Sequence, residues 1–71
     1  IFRNERLEDI MMYLARWYNV QYKFMDDKVK DIRIGAKLNR YSDMSPIIEM
    51  LKTNAEMSVC LVDGVYYISV R

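Results

Sequence analysis

The two halves of this 71-residue chain carry the same hydrophobic pattern, offset by the distance from Leu7 to Met44. In each half, apolar residues first recur with the period of a helix and then alternate with polar residues. These apolar positions match in register between the two halves. A duplicated unit of strand, helix and strand explains this match, so we predict two β-α-β units followed by one further strand. The matching pairs are Leu7 with Met44, Ile10 with Ile47, Met11 with Ile48, Leu14 with Leu51, Val20 with Met57, Tyr22 with Val59, Phe24 with Leu61, and Ile1 with Leu38.

The first unit contains an amphipathic helix, residues 7–18 (LEDIMMYLARWY), whose apolar arc is unusually wide. A helix apolar over so much of its circumference is expected to be covered on two sides, as between two sheets, so we expect its Met and Trp side chains in the core. Asn4 is the expected N-cap, and Asn19 is expected to end the helix in a left-handed conformation. The stripe consists of Leu7, Ile10, Met11, Leu14 and Tyr18, and Met12, Tyr13 and Trp17 extend it.

Alternating apolar and polar residues predict strands at 20–24 and 32–38, joined by a charged, aperiodic connection at 25–31. Gly35 lies on the polar face of the second of these strands, where a bulge or a close backbone approach is the usual explanation. The charged carboxylates of the connection are expected to be solvated surface groups.

A second helix is expected from Pro46, which is tolerated only in a first turn, to about Thr53. Either Ser42 or Ser45 is its expected cap. The sequence Asp-Gly at positions 63–64 predicts a two-residue type I′ hairpin between strands at 57–62 and 65–70.

These elements predict an α+β domain. Packing about a pseudo-twofold axis would pair the first strand with the third and the second with the fourth, and the hairpin would add the fifth. Both helices would then lie sandwiched between a two-stranded and a three-stranded sheet. Four methionines fall on positions of this predicted core, where they would fill gaps. They are Met11, Met44, Met50 and Met57.

Composition excludes several classes of function. The chain has no histidine and a single cysteine, which excludes most metal sites and nucleophilic triads, so we expect no catalytic residue, no metal and no cofactor. Cys60 is expected to point away from the face that carries Val59 and Leu61, or into a second layer, as a small apolar packing residue rather than a reactive thiol. A net charge of +1 without a basic face, and the lack of a G-x-x-G loop, argue against nucleic-acid binding.

The order F-x-N-x-x-L-x-x-I, WYNV-x-Y-x-F, RIGAKL, P-I-I-x-x-L and DGVYYI resembles the C-terminal domain of FecR-type anti-sigma regulators. It is also similar, more loosely, to the short N-terminal domain shared by secretins and TonB-dependent transporters. Within the WYNV segment this chain has Asn19 where such domains often have Gly, and a left-handed helix cap accepts either residue.

The resemblance implies a non-catalytic signalling module in the periplasm. Residues 1–71 would be one domain of a longer protein anchored by an upstream membrane span. The upstream part of that protein would hold a sigma factor, and this domain would sense the signalling domain of a TonB-dependent outer-membrane transporter. The alternative is that the chain is itself the N-terminal signalling domain of such a transporter or of a secretin.

Exposed tyrosines and the last strand are the expected partner-binding features, since Tyr is enriched at interfaces. On the last strand we expect Tyr66, Ile68 and Val70 to point inward. The predicted partner-binding residues are therefore Tyr41, Val65, Tyr67 and Ser69. An open sheet edge could also accept a partner strand, and the last strand is the first candidate for that edge.

Overall fold

A computed structural model of the chain describes residues 2–36 and 44–71. The predicted α+β class is confirmed, with two helices and two sheets among the described residues. Tyr41 and Ser42, and Ile1 and Leu38 of the sequence repeat, lie outside the described residues. In chain order the elements are β1 (Phe2–Arg6), α1 (Leu7–Tyr18), β2 (Gln21–Phe24), a 3-10 helix (Asp27–Asp31), β3 (Arg33–Ala36), α2 (Ser45–Lys52), β4 (Met57–Val62) and β5 (Val65–Val70).

The smaller sheet pairs β1 with β3 antiparallel, as predicted. The larger sheet has the order β2-β5-β4, with β5 parallel to β2 and antiparallel to β4. The prediction that β2 pairs directly with β4 is therefore wrong. The hairpin places β5 between β4 and β2. β5 therefore pairs with both strands, and β2 and β4 do not pair with each other.

The start of α1 differs from the prediction, whereas its end agrees. Asn19 ends the helix with φ 53° and ψ 46°, the expected left-handed conformation. Asn4 is not the N-cap, because β1 continues to Arg6, which precedes the helix and makes no side-chain cap hydrogen bond. Asn4 instead has φ 55° within an irregularity of the β1–β3 pairing. At this point two residues of β1 lie opposite the single residue Gly35. The bulge predicted near Gly35 is therefore present, and its extra residue belongs to β1.

The core is a single cluster drawn from both helices and both sheets. Met11, Met44 and Met57 are buried in it and Met50 packs against it, so the predicted core positions of these methionines are confirmed. Its members are Leu7, Ile10, Met11, Leu14, Val29, Ile34, Met44, Ile47, Ile48, Leu51, Met57, Val59 and Ile68.

The expectation that α1 is covered over its whole apolar arc is wrong. The central stripe is buried, but Met12, Tyr13 and Trp17 are 49%, 46% and 37% exposed. The stripe packs within the core cluster, whereas these three side chains lie outside it. Tyr13 and Trp17 lie one turn apart, with ring centroids 6.3 Å from each other.

The prediction of an aperiodic charged connection at 25–31 is wrong, because this segment contains the 3-10 helix. Asp26 caps it, since Oδ1 of Asp26 accepts a hydrogen bond of 3.2 Å from the N–H of Val29. The other oxygen, Oδ2, accepts a hydrogen bond of 3.2 Å from the N–H of Val70. Val29 is fully buried. The carboxylate of Asp26 thus joins this connection to the end of β5 and is more than a solvated charge.

The helix and the hairpin of the second half of the chain lie close to their predicted positions. Pro46 lies in the first turn of α2, as expected, but Ser45 is the first helical residue and the N-cap is Met44, without a side-chain cap hydrogen bond. The hairpin is confirmed: Asp63 has φ 49° and Gly64 has φ 80°, the positive values that a type I′ turn requires at both central positions.

Shortening the buried stripe of α1 should destabilise the domain strongly. Leu14→Ala removes a fully buried side chain and leaves a cavity, so we expect a loss of about 2–5 kcal/mol in the free energy of unfolding. Met12→Ala, on the exposed margin of the same helix, should cost less than about 1 kcal/mol. Urea denaturation followed by circular dichroism measures both variants. Equal losses would contradict the assignment of the two faces.

Asp26 and Asp27 form a matched pair for testing the cap. Asp26→Ala removes the acceptor of two main-chain N–H groups, and we expect a loss of about 1–2 kcal/mol in the free energy of unfolding. Asp27→Ala removes an exposed carboxylate that is 3.1 Å from the Lys30 ammonium, and should cost less than about 0.5 kcal/mol. Urea denaturation of both variants gives the comparison, and a larger loss for Asp27→Ala would refute the capping role.

Candidate partner-binding surfaces

The outer face of the larger sheet brings together three of the four predicted partner-binding residues. Val65, Tyr67 and Ser69 alternate along β5 and are all half-buried. The register places Tyr67 between Lys23 of β2 and Cys60 of β4. Val65 and Tyr67 have paired strands on both sides, whereas Ser69 is paired with β4 alone. The fourth predicted residue, Tyr41, lies outside the described residues.

The inward face of β5 agrees with the prediction at two of three positions. Ile68 is fully buried and Tyr66 packs against the core. Val70 was expected to point into the core but is 44% exposed. The pairing of β2 with β5 ends at Ile68, so no residue of β2 flanks Val70.

The prediction that the last strand offers a free edge is wrong, because β5 is the central strand of its sheet. The outer edges of that sheet belong to β2 and β4. Any partner strand that extends the larger sheet must therefore pair with one of these two strands.

A groove of about 180 Å³ runs between the edge strand β4 and helix α2. Its apolar surface comes from both elements, and a hydroxyl and two charged side chains of α2 form its polar side. The Lys52 ammonium lies 3.8 Å from the carboxylate of Glu49, one turn away. The groove residues are Ser45, Ile48, Glu49, Lys52, Val59, Cys60, Leu61 and Tyr66.

The end of β4 exposes apolar side chains. Leu61 was expected to lie in the core with Val59, but it is 58% exposed, and its neighbour Val62 is 50% exposed. Leu61 lies at the open side of the groove, beyond the cover that α2 gives to Val59. Cys60 is exposed too, so its predicted role as a packing residue is wrong. The sequence signal for this surface is the uncharged strand MSVCLV, of which we assigned Met57, Val59 and Leu61 to the core face.

Two cations of the described residues, Arg6 and Lys30, are held in ion pairs at the surface. A hydrogen bond from the Arg6 guanidinium to the carboxylate of Asp31, 3.0 Å long, raises the pKa of Arg6. A hydrogen bond to Asp27 likewise raises the pKa of Lys30. Both cations are therefore held more firmly protonated, the opposite of what a nucleophile or general base requires. Within 2–36 and 44–71 there is no cluster of His, Cys, Asp and Glu that could hold a metal ion.

Comparison with known proteins identifies the domain. The family model described as "FecR, C-terminal" matches residues 1–68. The chain belongs to the FecR C-terminal domain family. This confirms the resemblance deduced from the sequence, and it makes the chain a domain of a FecR-type regulator, a member of a regulatory rather than a catalytic family. No match was found among curated proteins or among solved structures.

In this FecR-type domain, no helix of the described residues is long and apolar enough to cross a membrane. Three surfaces of the described residues are candidates for partner binding: the outer face of β5, the β4–α2 groove with its edge strand, and the exposed margin of α1. All three are suited to protein contacts, since they combine aromatic and apolar side chains with few charges.

The native domain should react with a thiol reagent at Cys60. Since Cys60 is exposed, Ellman's reagent should modify it within about tenfold of the rate for a small free thiol. As a control, Val59→Cys in a Cys60→Ser background places the thiol at a position that is 6% exposed. That thiol should react at least roughly 100-fold more slowly, because it needs the structure to open. Equal rates would contradict the assigned faces of β4.

Proposed function

We propose that this domain is the periplasmic, non-catalytic end of a signal relay. It binds the N-terminal signalling domain of a TonB-dependent outer-membrane transporter. The upstream part of the same regulator crosses the inner membrane and holds a sigma factor. A change in the transporter then reaches the sigma factor through contact between two folded domains, without a chemical step.

The family match over residues 1–68 carries this proposal, because the family consists of the C-terminal domains of FecR-type regulators. The same match favours the regulator over the alternative, in which the chain would be the signalling domain of a transporter or secretin. The sequence similarity to those domains is looser and rests on the shared strand and helix order.

The chemistry of the surface supports a binding role. The described residues include no buried charged or polar side chain that could act as an activated acid, base or nucleophile. Instead, large apolar side chains of α1 and β4 are exposed on a domain of 71 residues. Exposed apolar surface of this kind commonly marks an interaction site.

The proposed partner can be tested with purified proteins. Titrating this domain with the signalling domain of a TonB-dependent transporter from the same organism should give saturable 1:1 binding, with a Kd on the order of 1 μM, as expected for a small transient interface. Isothermal titration calorimetry measures the affinity, and Trp17, the single tryptophan, provides a second signal. The signalling domain of an unrelated transporter is the control.

A cellular assay tests the relay. With the full regulator, a sigma-dependent reporter should respond to the transporter's cargo, and removal of residues 1–71 should abolish the response while the regulator remains membrane-bound. A reporter that still responds, together with no binding in the titration, would exclude the proposed function.

A further inference from the structure

The strand edges of this domain are protected to different degrees. Natural sheets protect exposed edges with charged side chains, bulges or very short strands, since an open edge pairs with other chains. β1 carries the bulge and the exposed Arg3. β2 and β3 have four residues each, with exposed Lys23 and Arg33 respectively. Three of the four outer edges in the described part of the chain are therefore protected.

The fourth edge, that of β4, has none of these protections. β4 has six residues, MSVCLV, with no charge and no proline. Its pairing with β5 is continuous from Met57–Val70 to Val62–Val65, without a bulge. An edge that is long, regular and apolar is the type that accepts another strand.

The hairpin determines which main-chain groups of β4 face outward. Its two-residue turn closes on the pair Val62–Val65, which is hydrogen-bonded, and such pairs alternate along an antiparallel ladder. The hydrogen bond of 3.1 Å from the N–H of Arg71 to the carbonyl oxygen of Glu56 fits the same alternation. The N–H and C=O groups of Val59 and Leu61 therefore point away from β5.

At the start of β4 the outward groups already have partners. The N–H of Met57 donates to the carbonyl oxygen of Asn54 at 3.4 Å, and the carbonyl oxygen of Met57 accepts from Nε of Arg71 at 3.0 Å. Within residues 2–36 and 44–71, no hydrogen bond occupies the outward groups of Val59 and Leu61. They form two donors and two acceptors along one edge.

The β4–α2 groove lies beside these groups. A strand added to β4 would run about 4.8 Å from it, and its inward side chains would face the flank of α2 where Ile48 lines the groove. The groove could hold an apolar side chain of that strand. The open main-chain groups and the groove thus fit the same occupant, an extended segment with alternating apolar residues.

We propose that β4 pairs with an extended strand of the transporter's signalling domain, which becomes the fourth strand of the larger sheet. This inference rests on the proposed function and names the surface that performs it. The main-chain groups of Val59 and Leu61 provide the ladder, and the β4–α2 groove receives a side chain.

The extent of the edge favours a transient partner over a second copy of the chain. A six-residue strand is about 20 Å long, so one added strand buries on the order of 300 Å² per partner. A stable dimer commonly needs about 800 Å² per partner. A small interface of this kind suits a signalling contact that forms and dissociates.

Amide hydrogen exchange measured by NMR tests the proposed pairing residue by residue. In the free domain, the amides of Val59 and Leu61 should exchange quickly, while that of Cys60 is protected by β5. With saturating transporter signalling domain, exchange at Val59 and Leu61 should slow at least tenfold. The amides of Tyr22 and Phe24 on the β2 edge should not change. Protection gained on β2, on α1 or on the outer face of β5 instead would overturn the proposal.

Substitutions at neighbouring positions provide the matched test of affinity. Leu61→Pro removes an outward N–H without removing a hydrogen bond of the sheet, and Leu61→Lys adds a charge to the edge. Each should weaken binding at least tenfold. Val62→Lys adds the same charge to a side chain of similar exposure on the outer face, and should change the Kd less than threefold. Thermal unfolding confirms that all three variants are folded, and the two Leu61 variants check each other.

The outcomes separate this inference from the proposed function. Binding that tolerates both Leu61 variants would overturn the edge inference and leave the proposed function standing. Wild-type domain that does not bind would overturn both. A domain that forms a concentration-dependent dimer in sedimentation analysis, lost in Leu61→Lys, without binding the signalling domain, would assign the edge to a second copy and overturn the proposal.

Discussion

The parallel pairing of β2 with β5 is the interaction on which the rest of this fold depends. It joins the two β-α-β units, because β2 belongs to the first and β5 follows the second. β5 is antiparallel to β4 and parallel to β2, so β2 and β4 run in opposite directions, as a pseudo-twofold axis requires. The strand directions keep the symmetry of the repeat, but β5 lies between β2 and β4. Because β5 lies between β2 and β4, both of its edges are paired, and β4 is an edge strand of the sheet.

Local features of the structure could be predicted because they depend on neighbouring residues. The left-handed Asn19, the Asp63–Gly64 turn and the buried stripe of α1 all follow from short sequence patterns. The order of the strands could not be predicted in this way. Period-two alternation places Tyr22 and Tyr66 on the inner face whichever strand lies beside β2, so the pattern fits either order. Two errors, the β2–β4 pairing and the free edge on β5, have this one origin.

Other errors concern residues whose spacing in the sequence predicts the core but whose side chains are exposed in the structure. Val70 and Leu61 have the correct phase for the core, yet each lies past the point where a neighbouring element covers it. Trp17 and its neighbours on α1 likewise extend past the sheets. Asp26 shows the reverse case: its charge suggested solvent, whereas both carboxylate oxygens accept main-chain hydrogen bonds. Aspartate is one of the residues preferred at helix N-caps, so Asp26 could have indicated a helical turn in this segment.

The predicted binding edge lies on the wrong strand of the sheet. The main-chain groups of Tyr66 and Tyr67 are taken by the sheet, because β5 is its central strand. The edge of β4 is marked instead by the absence of charge in MSVCLV, which as a sequence pattern resembles a buried strand. A buried strand and an unprotected edge strand have the same composition, since both lack the charges that repel a further strand. What distinguishes them is the number of neighbours. That number is fixed here by the insertion of β5, which gives β4 one partner within the described chain and leaves its other side open for a strand from outside.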